Sequence, residues 1–66
     1  MNRLKETRFG KGKSQLKVYL ETGIWPSRIS EIENGHRIPT ESEKVKLANA
    51  LEVEKGFLFP PDESAK

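Results

Sequence analysis

Covalent catalysis has little to draw on in this sequence. It holds one histidine, His36, one aspartate, Asp62, and no cysteine. Its serines, Ser14, Ser27, Ser30, Ser42 and Ser64, have no plausible base beside them to activate a hydroxyl. Hydrogen bonding is better served. Arg28 carries a guanidinium that can fork two N–H groups onto one acceptor pair, such as guanine O6 and N7, worth about 1–3 kcal/mol of discrimination. Ser27 precedes it with a hydroxyl that can reach a base edge or a phosphate. Glu31 follows three residues later, which on a helix puts it on the same face. It can accept from a cytosine amino group, or it can orient Arg28; the spacing suits both. Either use excludes some partners, because an unpaired acid near phosphates is costly.

Such side chains need a rigid element to aim them, and Gly and Pro punctuate the chain into candidates. The spacing predicts a first helix from Asn2, as N-cap, to Phe9, ended by Gly10-Lys11-Gly12-Lys13. Ser14 caps a second helix that runs to Thr22, with Gly23 as its left-handed stop. Pro26 suits the first position of a third helix, where its missing N–H is not needed, and that helix ends at Asn34-Gly35. Residues His36 to Pro39 form a loop. Thr40 and Glu43 make a capping box for a fourth helix, whose apolar positions are Val45, Leu47, Ala48 and Leu51. A short turn of helix spans Glu54 to Leu58, and Pro60-Pro61 stops it. No strand pattern or internal repeat appears. The expected class is all-α, a compact bundle of about five short helices over residues 1–60, with 61–66 as a disordered tail. The expected core is Leu4, Val18, Ile24, Ile29, Ile32, Val45, Ala48 and Leu51.

Length and charge narrow the function. With 66 residues the chain is one domain at most and must rely on tight packing or self-association, since it has no disulfide or thiolate metal site. A stand-alone catalytic pocket is improbable at this size. The apolar run Phe57-Leu58-Phe59 is far too short to span a membrane, and no signal peptide is recognisable, which suggests a cytoplasmic protein. Net charge is +2, but it is unevenly placed. Residues 1–38 hold eight Lys and Arg against four Glu, whereas 39–66 hold four Lys against six acids. That asymmetry fits a face aimed at a polyanion, and equally a solvated basic helix.

The stretch Ser14 to Gly35, SQLKVYLETGIWPSRISEIENG, decides between these readings. Two short helices joined by a turn on Gly23 have the spacing of a helix-turn-helix. The stretch resembles the Cro/cI-type helix-turn-helix, the lambda-repressor-like or xenobiotic-response-element family. The matching residues are Ser14-Gln15, Thr22-Gly23-Ile24, Ser27, Ile29-Ser30, Ile32-Glu33-Asn34-Gly35, Arg37 and Pro39, then Leu47-Ala48, Ala50-Leu51, Val53 and Leu58-Phe59. The resemblance implies that Trp25, Pro26, Ser27, Arg28 and Glu31 face the bases in the DNA major groove. It implies that Gln15, Asn34, Gly35 and Arg37 contact the DNA backbone, the helix start at Gln15 and the bend at Asn34-Gly35 adding main-chain N–H groups. It implies that Arg8 and Glu33 form a buried ion pair between the first and third helices. No second ligand supports a metal at His36, and no cofactor is expected.

Several positions depart from the family pattern. Trp25 stands where a capping Ser or Thr is usual; it can pack on a sugar or a thymine methyl, or cover the turn. Pro26 replaces a polar residue and offers no donor. Tyr19 stands where a small residue lets the helices approach. Leu16 and Leu20 replace polar residues, as core or as a patch for a protein partner. Lys13 replaces an apolar residue and puts packing beside the first helix in doubt. His36 reads as a solvated loop residue. The main expectation is a sequence-specific regulator, a repressor by occupancy or else a recruiter of polymerase, acting as a homodimer on a pseudo-palindromic site, with its dimer contact at Leu51, Val53, Phe57 and Leu58. The alternative is a protein-interaction module on the same fold, an antitoxin or co-activator, using Leu16, Leu20 and Tyr19.

Overall fold

A computed structural model describes residues 2–60. It is all-helical, in the order α1 (Leu4–Gly10), α2 (Gln15–Thr22), α3 (Pro26–Glu33), α4 (Glu41–Leu51) and α5 (Lys55–Leu58). The expected tail, 61–66, lies outside the described residues. No helix among the described residues is long and apolar enough to cross a membrane.

Local chemistry accounts for most helix ends. The Ser14 hydroxyl accepts from the Lys17 N–H at 3.0 Å and starts α2. Gly23 ends it at φ 80, and its N–H returns to the Tyr19 carbonyl. Pro26 opens α3 at its first turn, with Trp25 as N-cap. Thr40 and Glu43 form the full capping box of α4. The first helix differs from expectation: it starts at Leu4, because Asn2 bends the chain instead of capping it. The Asn2 Oδ1 accepts from the Leu4 N–H at 3.0 Å, while its Nδ2 donates to the Ile32 carbonyl at 2.9 Å. Gly10 is the last residue of α1, and the turn to Ser14 relies on Gly12 at φ 69.

The core joins Leu4, Val18, Ile24, Ile29, Ile32, Leu47, Ala48, Leu51 and Leu58. Val45, expected inside, is 44% exposed, and Leu47 takes its place. The two lie two positions apart, about 200° around an α-helix, so α4 cannot bury both. Leu51 and Leu58 are fully enclosed, so neither is free to form a dimer contact. α5 folds back over the start of the chain, where the Arg3 N–H bonds the Leu58 carbonyl and the Arg3 guanidinium bonds the Phe57 carbonyl. That closure draws Leu58 inward and leaves Phe57 outside. Leu16 and Leu20 are exposed, so they are surface and not core. Lys13 needs no apolar neighbour: its ammonium bridges Glu21 at 2.8 Å and the Ala50 carbonyl at 2.6 Å, tying α2 to α4.

Candidate nucleic-acid interface

Helix α3 has two different faces. Ile29, Ile32 and Glu33 point inward and are buried. Ser27 is exposed, and Pro26, Arg28 and Glu31 are half-buried, on the remaining surface. The turn before α3 places Trp25 beside them, 64% exposed. Its ring stacks on Tyr19, with centroids 5.0 Å apart and planes 17° from parallel. Tyr19 is partly buried against the core while its ring stacks on Trp25.

A buried polar network sets the angle of α3. The Arg8 Nε donates to Glu33 Oε2 at 2.6 Å and Nη2 to Oε1 at 3.3 Å. A third N–H of Arg8 bonds the Lys13 carbonyl at 3.0 Å. Gln15 Nε2 donates to the same Glu33 Oε1 at 3.1 Å. One carboxylate thus gathers side chains from α1 and α2 onto the end of α3. Among the described residues no buried side-chain N or O lacks a hydrogen-bond partner, so the low-dielectric network is complete. Gln15 has one of its two amide N–H groups committed inward.

Arg28 and Glu31 do not pair with one another, which corrects the idea that Glu31 orients Arg28. The Arg28 Nε and Nη2 bond the two oxygens of Glu43 on α4, the second at 3.1 Å. Glu31 instead accepts from Arg37 at 2.7 Å, across the bend that ends α3. These partners set the charge states. The hydrogen bond to Arg28 holds the Glu43 carboxyl below the usual carboxylate range, against a smaller opposing effect of burial. The same bond pushes the Arg28 guanidinium further up. The bond to Arg37 likewise lowers Glu31. Nothing in the sequence pointed from Arg28 to Glu43, because Glu43 was already accounted for as a helix cap.

The bend after α3 also differs from expectation. The N–H groups of Asn34, Gly35 and His36 close back onto the carbonyls of Ser30, Ile32 and Glu31. They are spent on ending the helix, and Gly35 serves the turn through its φ of 78. What faces outward here is the Asn34 side chain, only loosely held at 3.5 Å by Ser30, and the Arg37 guanidinium. This surface therefore offers guanidinium, hydroxyl and amide donors from α3 and the bend that follows it. Among the described residues no group of three or more His, Asp and Glu is placed to hold a metal ion.

Comparison with known proteins agrees with this geometry. A family model described as a helix-turn-helix domain matches residues 1–59. Among solved structures, the chain is similar to the restriction-modification controller protein C.AhdI from Aeromonas hydrophila. The two share 37% sequence identity with a TM-score of 0.81, over 86% of each chain. No curated protein sequence matches. A chain whose α2 and α3 are joined on Gly23, tied by Arg8 and Glu33 and matched over nearly their whole length by these proteins belongs to the Cro/cI-type helix-turn-helix DNA-binding domain family.

Proposed function

We propose that the chain is a sequence-specific double-stranded DNA-binding regulator of transcription that acts as a homodimer, with α3 in the major groove. The observation that carries this reading is the two-faced character of α3: apolar residues and Glu33 locked inward, Ser27, Arg28 and Glu31 presented outward. Arg28 and Ser27 read base edges. Pro26 gives no donor, so it contributes shape and fixes the start of the helix. Trp25, stacked on Tyr19, lays its exposed ring along a sugar or a thymine methyl. Gln15, the Asn34 side chain and Arg37 hold the phosphates on either side, and Gly35 lets the chain bend toward them.

One such domain makes few contacts, and two-fold pairing doubles them on a pseudo-palindrome with half-sites about one helical turn, roughly 34 Å, apart. With Leu51 and Leu58 enclosed, the dimer contact falls to Val53 and the exposed Phe57. Occupancy of a promoter then blocks transcription. Likeness to a restriction-modification controller supports a controller role of the same kind. The test is selection from a random duplex library at several salt concentrations, with sedimentation of the protein alone and with its selected site. An enriched two-fold site bound by two copies is expected. Strict monomers on that site overturn the dimer.

A second reading rests on Leu16 and Leu20, four apart on α2 and 59% and 70% exposed. They form an apolar pair that suits a protein partner, as in an antitoxin. A stable partner lost on Leu16→Lys, with DNA binding retained, favours it.

A further inference from the structure

We infer that Glu43 is the positioning residue for Arg28, and that base discrimination at the position Arg28 reads depends on a side chain outside the helix-turn-helix. The inference rests on the DNA-binding reading above and adds to it a specificity determinant on α4.

The argument begins with the guanidinium. Arginine has five N–H groups in a fixed plane. Glu43 engages Nε and Nη2 along one side of that plane. Three N–H groups remain, two on Nη1 and one on Nη2; the Nη2 one and the Nη1 one beside it form the forked end. The end is the edge that fits guanine O6 and N7. A side-on carboxylate and an end-on guanine can therefore be bound at once, and the first leaves the second in place.

Glu43 is itself fixed. Its Oε1 accepts the Thr40 N–H at 2.8 Å, and its own N–H bonds the Thr40 hydroxyl at 3.1 Å. It lies in the first turn of α4, where the helix dipole favours a negative charge. Its side chain is only 15% exposed, and that of Arg28 is 32%. Arg28 is thus ordered before any DNA arrives, so less rotamer freedom is lost on contact. The carboxylate also offsets the arginine charge. A free arginine binds any phosphate within reach, whereas a paired one gains less from a phosphate and relatively more from two base acceptors held in its plane.

The test compares binding profiles of the full chain against a duplex library carrying every base at each position of the selected site. Wild type, Glu43→Gln, Arg28→Ala and Thr40→Ala are measured, with thermal unfolding of each. Glu43→Gln keeps an acceptor for the capping box but loses the charge and the second oxygen. The expected result is a loss of discrimination of about tenfold at one base pair per half-site, the same pair that Arg28→Ala relaxes. The other positions keep their preferences. Thr40→Ala lowers the unfolding temperature and leaves the profile intact, which separates the cap from the positioning role. An unchanged profile for Glu43→Gln overturns the inference. So does a loss at every position alike, or at a position that Arg28→Ala does not touch. If wild type enriches a site and Arg28→Ala changes nothing, this inference falls together with the base-reading role of Arg28, and the DNA-binding reading stands. If wild type enriches no site, the DNA-binding reading falls first and takes the inference with it.

Discussion

Arg8 of α1 and Glu33 of α3 meet at 2.6 Å, 25 residues apart in sequence, with side chains 6% and 2% exposed. Two ionised groups this enclosed hold one another in place, and each is costly to leave alone. Glu33→Gln leaves the Arg8 guanidinium buried without its anion. The expected loss is about 3–5 kcal/mol of folding stability, read by urea denaturation. A cost under about 1 kcal/mol, the size of an exposed pair, is the contrary result.

Backbone conformation gives two opposite predictions. Gly23 sits at φ 80, and a Cβ built there meets nothing within 4 Å. Gly23→Ala therefore meets no clash, only left-handed strain, and costs about 1–2 kcal/mol. Glu52 ends α4 at φ 59, a non-glycine residue in the same region. Glu52→Gly removes that strain and raises the unfolding temperature, with a gain of up to about 1 kcal/mol.

The core assignment is checked by a pair of truncations. Leu47→Ala and Leu58→Ala remove fully enclosed side chains and are expected to cost about 2–5 kcal/mol each. Val45→Ala trims an exposed side chain and stays within about 1 kcal/mol. Parallel chemical denaturation of the three proteins reads the ranking.

Acid is expected to destabilise the fold through its paired carboxylates. Lys13, Arg37, Lys55 and Arg28 lower Glu21, Glu31, Glu41 and Glu43 respectively, each mainly through a side-chain hydrogen bond. A carboxyl whose folded value is depressed adds stability that is fully present above its unfolded value. That stability is lost as pH falls through the lower, folded value. Unfolding temperature should therefore be flat near neutrality and drop on acidification below the ordinary carboxylate range. Raised salt should shrink the drop, most of all through the exposed Glu31 and Glu41 pairs. A flat profile down to pH 3 is the contrary outcome.

What was legible in the sequence follows the range of each interaction. Ser14, Gly23, Pro26 and the Thr40-Glu43 box act within four residues, and each could be read from spacing. The first helix start could not, because Asn2 uses its amide on Ile32, 30 residues away. Periodicity placed α4 but not its orientation, which tertiary packing fixes, so Val45 and Leu47 exchanged roles. Leu51 and Leu58 looked available for a partner because nothing local reveals that α5 folds back on Arg3. On α3, the outward placement of Ser27, Arg28 and Glu31 was legible from the helix-turn-helix string. Their pairing was not. Arg28 reaches 15 residues along the chain to Glu43, past the nearer Glu31.

Arg37 gives a prediction for the electrostatic part of binding. Its guanidinium is about half exposed and anchored on Glu31. Arg37→Ala should weaken binding to all sequences alike and reduce the salt slope by about one unit, without altering the base profile. A change in preference at one base pair contradicts its assignment to the backbone.

The central claim, that the outer face of α3 reads duplex DNA, is tested most directly by selecting wild-type protein against random duplexes across a salt series. The predicted result is one enriched pseudo-palindromic site whose binding constant falls steeply and linearly with salt on logarithmic axes. No enriched sequence, with affinity indifferent to salt, contradicts it.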